Sequence, residues 1–255
     1  MKQGIFEIIA NERLTETVMK MTLRGDVSAI TAPGQFINIK LDGLFLRRPI
    51  SVFDLDSEAG TVTIIYKVVG KGTEQMREMT CGQTLDVLTG LGNGYDTSLS
   101  GDAPVLIGGG VGVPPLYLLA KRLLAEGKRV SVVLGFNTAA EIFCEDDFKA
   151  LGKKYKGKVS VYVTTVDGSA GTKGFVTDAE VMKNGDYTHF YTCGPEPMLR
   201  AVWKNTVTDG QMSFEERMGC GFGACMGCSC KTLTGYKRIC RDGPVMRKGE
   251  ITWEK

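Results

Sequence analysis

The chain has 255 residues, enough for about two domains that each bury a hydrophobic core. Its 31 basic residues nearly balance its 29 acidic residues, which argues against a surface for nucleic acid or for an anionic membrane. Residues 1–7 show no apolar run like that of a signal peptide, so we expect a cytoplasmic protein whose eight cysteines form no disulfides.

Residues 1–100 are predicted to form a small antiparallel β-barrel. Short runs rich in β-branched residues are separated by Gly, Pro, Asp and Asn, with little helix-forming sequence between them. The predicted strands are residues 5–9, 17–23, 36–41, 50–53, 62–69 and 85–88. One helix is predicted to begin at Thr73 as its N-cap, with its N-terminus available to an anion.

Two segments of this barrel suit a flavin dinucleotide. In Arg47-Arg48-Pro49-Ile50-Ser51, a guanidinium fork suits a pyrophosphate, and the serine can hydrogen-bond an isoalloxazine ring. The Gly-Lys-Gly-Thr segment of residues 70–73 offers small residues and a helix N-terminus to the diphosphate. Each segment alone is also typical of a solvated loop. Tyr66 could flank the flavin ring, although an aromatic residue in a strand is more often packed core.

Residues 101–212 are predicted to form an α/β domain whose parallel sheet is covered on both faces. Apolar runs that suit buried strands alternate here with helical sequence. The predicted strands are residues 105–107, 130–134, 159–163 and 189–192, and the predicted helices are residues 114–126, 141–151, 177–183 and 196–207.

A glycine-rich segment, residues 108–115, follows the first of these strands. It is not the G-x-G-x-x-G fingerprint, because Pro115 stands where the last glycine would be. The segment still turns sharply after a strand and opens a helix, as a nucleotide loop must. A glycine-rich turn without a ligand is the alternative. Residues 135–138 contain no arginine for a 2′-phosphate, which favours NAD over NADP.

Cys193-Gly194-Pro195 follows the last predicted strand, at the carboxyl edge of the sheet where open α/β domains bind ligands. A tight turn with a buried cysteine explains this segment equally well. His189, the single histidine, is predicted to be packed rather than catalytic. No catalytic residue is predicted, because hydride exchange between a nicotinamide and a flavin is the chemistry of the cofactors.

Residues 213–255 carry the most specific motif. The spacing Cys220-x4-Cys225-x2-Cys228, followed by Cys240, is the plant-type pattern for a 2Fe–2S cluster. Zinc is the less favoured alternative, since structural zinc sites usually repeat short paired spacings. Cys230 is the spare thiol: it could substitute for Cys228 or lie beside the ligands, and a merely buried residue is favoured. Cys81 and Cys144 are predicted to be small apolar fillers. A nicotinamide moves two electrons and such a cluster one, so a flavin is expected between them.

The motifs together resemble the electron-transfer subunit of class 1B dihydroorotate dehydrogenases, within the ferredoxin-NADP reductase superfamily. The resemblance rests on PGQF, RRPIS, IYKVVGKGT, LGNGY, GGGVGVPP, CGP, the cysteine loop and residues 238–245. One departure is Thr89-Gly90, where relatives usually have Gly-Pro before LGNG. The resemblance implies FAD contacts at Arg48, Pro49, Ile50, Ser51, Ile65, Tyr66, Lys67, Gly72 and Thr73, nicotinamide nucleotide contacts at Gly109, Gly110, Gly112 and Cys193, and cluster ligands at Cys220, Cys225, Cys228 and Cys240.

The implied fold is multidomain β plus α/β. It comprises an FAD-binding β-barrel (1–100), an NAD-binding parallel-sheet α/β domain (101–212) and a small C-terminal 2Fe–2S subdomain (213–255). In the family, a separate FMN-containing subunit oxidises dihydroorotate for pyrimidine synthesis. Electrons pass through the cluster and FAD to NAD, in a heterotetramer with two copies of each chain. The alternatives are the flavin subunit of an NADH-dependent ferredoxin:NADP oxidoreductase or sulfhydrogenase, and a zinc-stabilised interaction protein without turnover.

Overall fold

Strands between Lys2 and Leu91 form a closed antiparallel barrel in the computed structural model, which describes residues 1–253. The six strands of this part are paired in the order β1-β2-β5-β4-β3-β6, which confirms the predicted barrel. Alternate residues such as Ile37, Ile64 and Val87 point into its core, as the period of two in a strand requires. The strands are β1 Lys2–Arg13, β2 Val18–Arg24, β3 Phe36–Lys40, β4 Arg48–Asp56, β5 Thr61–Lys67 and β6 Thr84–Leu91.

Helix α1 (Lys71–Arg77) lies between β5 and β6 and corrects the predicted helix start. Gly70 is the N-cap, and Thr73 lies in the first turn. The Thr73 hydroxyl accepts hydrogen bonds from the backbone N–H of Val69 (2.9 Å) and of Gly70 (3.3 Å). Thr73 therefore secures the helix start from inside the turn rather than from the cap position.

The middle of the chain forms a sheet, which within residues 101–253 has seven strands in the order β10-β9-β8-β7-β11-β12-β15. Only β15 is antiparallel to its neighbour, so the predicted parallel α/β domain is confirmed. Its strands are β7 Val105–Gly109, β8 Val130–Phe136, β9 Val159–Thr165, β10 Thr172–Lys173, β11 Phe190–Cys193, β12 Gly210–Ser213 and β15 Val245–Arg247. Its helices are α2 Pro115–Ala125, α3 Glu145–Lys154, α4 Glu180–Asn184 and α5 Glu196–Asn205. Strands β10, β12 and β15 were not predicted.

The barrel and the sheet share one hydrophobic core rather than meeting at a wet interface. Phe53 of β4 stacks on Tyr117 of α2, with ring centroids 4.4 Å apart. Beside this stack, Lys121 of α2 forms an ion pair with Asp54 of β4. Ile65 of β5 is buried in the same cluster as the side chains of α2. These contacts fix the orientation of the two nucleotide-binding parts.

The last part of the chain leaves the sheet and returns to it. It contains the hairpin β13 (Ser229–Thr232) and β14 (Gly235–Arg238), then α6 (Ile239–Asp242). Ser213, at the end of β12, is paired with Val245, at the start of β15, so the two ends of this excursion are neighbours. Thus β15, within the predicted cluster subdomain, belongs to the sheet of the preceding domain. Within residues 1–253, no helix is both long enough and apolar enough to cross a membrane.

Candidate cofactor sites

The four predicted cluster ligands lie together, as two pairs of thiols. Cys225 and Cys220 form one pair: the backbone N–H of Cys225 donates to Sγ of Cys220, and the N–H of Cys220 donates to Sγ of Cys225, both at 3.4 Å. Cys228 and Cys240 form the other pair, with the N–H of Cys240 donating to Sγ of Cys228 at 3.4 Å. A 2Fe–2S cluster takes two thiolates on each iron, so two adjacent pairs fit it.

Backbone amides around the loop favour the thiolate form that binds iron. The N–H of Ala224 donates to Sγ of Cys220 at 3.2 Å, and the N–H of Gly227 donates to Sγ of Cys225 at 3.4 Å. Partial burial raises the pKa of the Cys220 thiol, but hydrogen bonds from the backbone N–H groups of Phe222, Cys225 and Ala224 lower it overall to about 6. Within residues 1–253, no group of three His, Cys, Asp or Glu is arranged around a point for a single metal ion. The four cysteines supply the thiolates that a two-iron cluster takes, two for each iron.

The two pairs face different surroundings. Cys228 and Cys240 are buried and pack against Phe36, Leu88 and Leu91 on the outer face of the barrel. Cys225 is exposed, and beside it Met226 is 54% and Phe222 45% exposed. We call Cys228 and Cys240 the inner pair, and Cys220 and Cys225 the outer pair. The inner pair faces the barrel, and the outer pair lies towards the solvent-exposed tip of the loop.

The loop also touches the barrel at a position where only glycine fits. Gly221 has φ +79°, and a Cβ there would lie 2.2 Å from Nδ2 of Asn38 on β3. Asn38 is 1% exposed, on the same face of β3 as Phe36. The backbone of the loop therefore lies so close to Asn38 that a side chain at position 221 would not fit between them.

The two candidate flavin segments meet in the structure. The guanidinium of Arg48 lies over Gly72, where a Cβ would be 2.3 Å from Nε and 2.7 Å from Nη2. Its neighbour Arg47 is held elsewhere, in an ion pair with Asp86 at 3.1 Å. Arg48 is thus the arginine beside the Gly-Lys-Gly-Thr turn, and the glycine leaves the room that its guanidinium occupies. This cradle of cation and open backbone fits a pyrophosphate.

Pro49, Ile50 and Ser51 continue from Arg48 along β4 and are half-buried. Ser51 is paired across the strands with Phe36, the residue that packs against the inner pair. The candidate flavin site and the candidate cluster site are therefore separated by one strand of the barrel.

The side chains of residues 65–67 point in three different ways. Tyr66 is buried inside the barrel, where its hydroxyl donates to Oδ1 of Asn11 at 3.2 Å and burial raises its pKa to about 12. Ile65 packs into the core shared with the sheet domain, and Lys67 is exposed. The side chains of Ile65 and Tyr66 are therefore buried and do not face a surface at which a flavin could bind.

The glycine-rich turn lies against the Cys193 segment at the carboxyl edge of the sheet. A Cβ on Gly112 would be 2.3 Å from the carbonyl oxygen of Cys193, and one on Gly109 would be 2.5 Å from Sδ of Met198. A Cβ on Gly110 would meet nothing within 4 Å, so this residue faces open space. The structure thus brings all four predicted nucleotide residues together.

Burial raises the pKa of the Cys193 thiol to about 12, so this thiol is neutral near pH 7. A hydrogen bond with the Ser213 hydroxyl opposes this shift without cancelling it. The hydroxyl of the buried Tyr95 donates to the carbonyl oxygen of Thr192, the residue before Cys193, at 3.1 Å. Ser213 was missed in the sequence because β12 is too short to give a periodic signal.

Two features of the sheet edge suit the ribose end of NAD. The carboxylate of Glu141 accepts a hydrogen bond from Nδ2 of Asn137 at 2.9 Å, in the loop after β8 where an arginine was not found. An acid in this loop would favour a 2′-hydroxyl over a 2′-phosphate. The hydroxyl of Thr164 on β9 is buried and has no hydrogen-bond partner among the described residues.

Two of the remaining cysteines differ from their predictions. Cys144 is buried as predicted, at the start of α3, but Cys81 is exposed in the turn before β6. Cys230 is half-buried rather than buried. His189 is 4% exposed, as expected for a packed residue.

Two family models match the chain. One describes the oxidoreductase NAD-binding domain and matches residues 106–204. The other describes the iron–sulfur cluster binding domain of dihydroorotate dehydrogenase B and matches residues 215–252. The matches coincide with the glycine-rich sheet domain and with the cysteine loop.

Similar proteins cover almost the whole chain. The dihydroorotate dehydrogenase B (NAD(+)) electron transfer subunit of Fusobacterium nucleatum is 43% identical over 256 residues, 96% of each chain. That of Bacillus pumilus is 41% identical over 262 residues, 98% of each chain. Among solved structures, an NADH-dependent reduced ferredoxin-NADP oxidoreductase gives a TM-score of 0.84 at 30% identity, covering 98% of this chain and 90% of that one. A ferredoxin NADP+ reductase from Neisseria gonorrhoeae with bound FAD and NADP gives 0.68 at 17% identity, covering 80% and 90%, and shows the fold alone.

Proposed function

The chain belongs to the family of electron transfer subunits of NAD-dependent dihydroorotate dehydrogenase B, and we propose how its residues serve that role. Its cofactors are FAD, NAD and a 2Fe–2S cluster. When bound, FAD exchanges a hydride with the nicotinamide and single electrons with the cluster. The residues of this chain supply position, orientation and exclusion of water.

The contacts of Phe36 are the main support for the proposed electron path between the cluster and the flavin. It packs against Cys228 and Cys240, and its strand partner is Ser51 in the candidate flavin segment. We infer that Cys220, Cys225, Cys228 and Cys240 hold the cluster. If the cluster binds there, its inner pair would lie beside Phe36, and Phe36 would stand between the cluster and the candidate flavin segment at Ser51.

The flavin is proposed to lie along β4 and the start of α1. In this arrangement Arg48 and Gly72 hold the pyrophosphate, and Ser51 hydrogen-bonds the ring. Pro49 and Ile50 border the ring, and Thr73 holds the Gly-Lys-Gly turn in shape. Residues 65–67 contribute through their backbone, because the side chains of Ile65 and Tyr66 are packed elsewhere.

The nicotinamide nucleotide is proposed to lie over the glycine-rich turn. Gly109, Gly110 and Gly112 leave space for its phosphates, and Cys193 stands at the nicotinamide end as a neutral thiol. The turn at Gly110–Gly112 contacts β5, and Val113 shares a buried cluster with Ile65. The nucleotide turn therefore adjoins the strand that leads to the flavin.

The family name implies a catalytic partner subunit. We propose that this partner carries FMN, oxidises dihydroorotate to orotate for pyrimidine synthesis, and assembles with this chain as two copies of each in the cytoplasm. The exposed Cys225, with Met226 and Phe222, marks the surface at which electrons would enter from that partner.

Reconstitution of the two chains tests the proposal. Purified protein should show flavin and iron–sulfur absorbance, and NADH should reduce both. With the FMN subunit added, dihydroorotate should reduce NAD, and the Cys225→Ser variant should fail to support this. Protein that binds flavin but contains zinc in place of iron would contradict the proposed path.

A further inference from the structure

Residues 91–95, Leu-Gly-Asn-Gly-Tyr, leave the barrel after β6 and contact all three parts of the chain. We call them the exit segment. The backbone N–H of Tyr95 donates to the carbonyl of Pro33 in the barrel at 2.7 Å. The hydroxyl of Tyr95 donates to the carbonyl of Thr192, the residue before Cys193, at 3.1 Å. We propose that the exit segment fixes the cluster relative to the flavin, and that Asn93 is its positioning residue.

Asn93 bonds the segment that immediately follows Cys240. Its backbone N–H donates to the carbonyl of Gly243 at 2.7 Å. Its side-chain Nδ2 donates to the carbonyl of Val245 at 2.7 Å and to that of Asp242 at 3.4 Å. Its Oδ1 accepts from the N–H of Val245 at 3.1 Å. The amide thus bonds both backbone groups of Val245, as a neighbouring strand would, and uses its donor and its acceptor.

Two glycines let the exit segment come this close. Gly92 has φ +77°, and a Cβ there would lie 2.5 Å from Cδ of Pro244. Gly94 has φ +76°, and a Cβ there would lie 2.7 Å from the carbonyl oxygen of Pro33. Any other residue at either position would have a strained backbone, and its side chain would push the exit segment away from the segment it contacts. The glycines on either side of Asn93 therefore place its amide within reach of residues 242–245.

The position of Asn93 connects this contact to the proposed electron path. Leu91, where the exit segment begins, is the strand partner of Phe36 and packs in the same cluster as Cys228 and Cys240. Removing the Asn93 side chain removes its hydrogen bonds to Asp242 and Val245, while the backbone bond to Gly243 and the pairing of β15 with β12 remain. The Arg48 cradle and the glycine-rich turn keep their own contacts. The expected effect is therefore confined to the step between flavin and cluster.

Rapid reduction of the FAD- and iron-loaded protein by NADH tests this inference, which rests on the proposed function. In Asn93→Ala, flavin reduction should stay within about twofold of wild type. Electron transfer to the cluster should slow severalfold, because its rate depends steeply on the distance between the two groups. The electron paramagnetic resonance spectrum of the reduced cluster should change too. Asn205→Ala is the matched control, because its amide donates to the carbonyl of Ala201 at 2.8 Å on exposed α5.

Asn93→Asp keeps the acceptor for the N–H of Val245 and should show a smaller change in the same direction. If either Asn93 variant loses iron but keeps FAD, the inference is also supported. Cluster reduction at the wild-type rate in both variants would overturn it, as would loss of FAD together with iron. If NADH reduces the flavin but never the cluster of the wild-type protein, the proposed function fails instead.

Discussion

Replacing Gly72 by alanine isolates the role of the Arg48 guanidinium in FAD binding. The new Cβ would lie 2.3 Å from Nε and 2.7 Å from both Cζ and Nη2 of Arg48. No backbone atom is among these contacts, so the guanidinium must move and the chain need not. The substitution thus displaces the arginine without removing its charge.

The expected loss follows from the hydrogen bonds that the displaced guanidinium gives up. Hydrogen bonds to a charged group contribute about 1.5–3 kcal/mol, which corresponds to about 10- to 100-fold in the dissociation constant of FAD. The flavin-free protein, in contrast, should become more stable. Gly72 lies inside α1, where Gly→Ala typically stabilises by about 0.4–1 kcal/mol.

Titration of flavin-free protein with FAD, followed by quenching of flavin fluorescence, measures the dissociation constant. Gly152→Ala is the matched control, since Gly152 lies within α3 and its added Cβ would meet only Val159 at 3.7 Å. Arg48→Lys should weaken binding similarly, because lysine keeps the charge but lacks the planar fork. An FAD affinity within about twofold of wild type in Gly72→Ala would refute the proposed role of Arg48.

Three further predictions concern the other sites. Cys225→Ser should abolish the visible absorbance of the cluster while NADH still reduces the flavin with small-molecule acceptors; loss of FAD would instead make the loop a folding element. Gly112→Ala places a Cβ 2.3 Å from the carbonyl oxygen of Cys193, so NADH titration should show affinity lowered by about tenfold or more with FAD retained. An unchanged NADH affinity would argue against this turn as the nucleotide site. Burial lowers the pKa of His189, so the unfolded chain binds a proton that the folded chain rejects, and stability should fall as pH drops below the ordinary value of 6.5. His189→Gln should show a weaker decline in melting temperature over that range.

The strands with strong local patterns were predictable, and the weak ones were not. β1 to β9 and β11 each contain several β-branched or large apolar residues in sequence, which predicted both the barrel and the parallel sheet. β12 reads Gly-Gln-Met-Ser and β15 has three residues, so neither shows a period. β12 is held by pairing with β11 and β15, and β15 by pairing with β12. These contacts join segments far apart in sequence, so no local pattern predicts them.

The sites divide in the same way. Four thiols could be predicted to converge because the ligand spacing of an iron–sulfur loop is itself local. The contact of Arg48 with Gly72, and that of Asn93 with Val245, join segments far apart in sequence. The sequence also could not predict which face of β5 carries Tyr66, because Ile64, Ile65 and Tyr66 are all buried. Ile64 and Tyr66 lie in the barrel core, and Ile65 packs against the sheet domain. Cys81 was predicted as a filler from its residue type alone, and its place in a turn exposes it.

The pairing of Ser213 with Val245 makes the cysteine-bearing part an insertion into a complete reductase fold. Its two ends are held side by side, and the N–H of Phe214 donates to the carbonyl of Pro244 at 2.9 Å just outside the pair. A segment with such adjacent ends can be acquired or lost by a parent fold at little conformational cost. Shortening the chain between Ser213 and Val245 to a tight turn should therefore leave a protein that still exchanges hydride between NADH and FAD but lacks its one-electron connection to the partner.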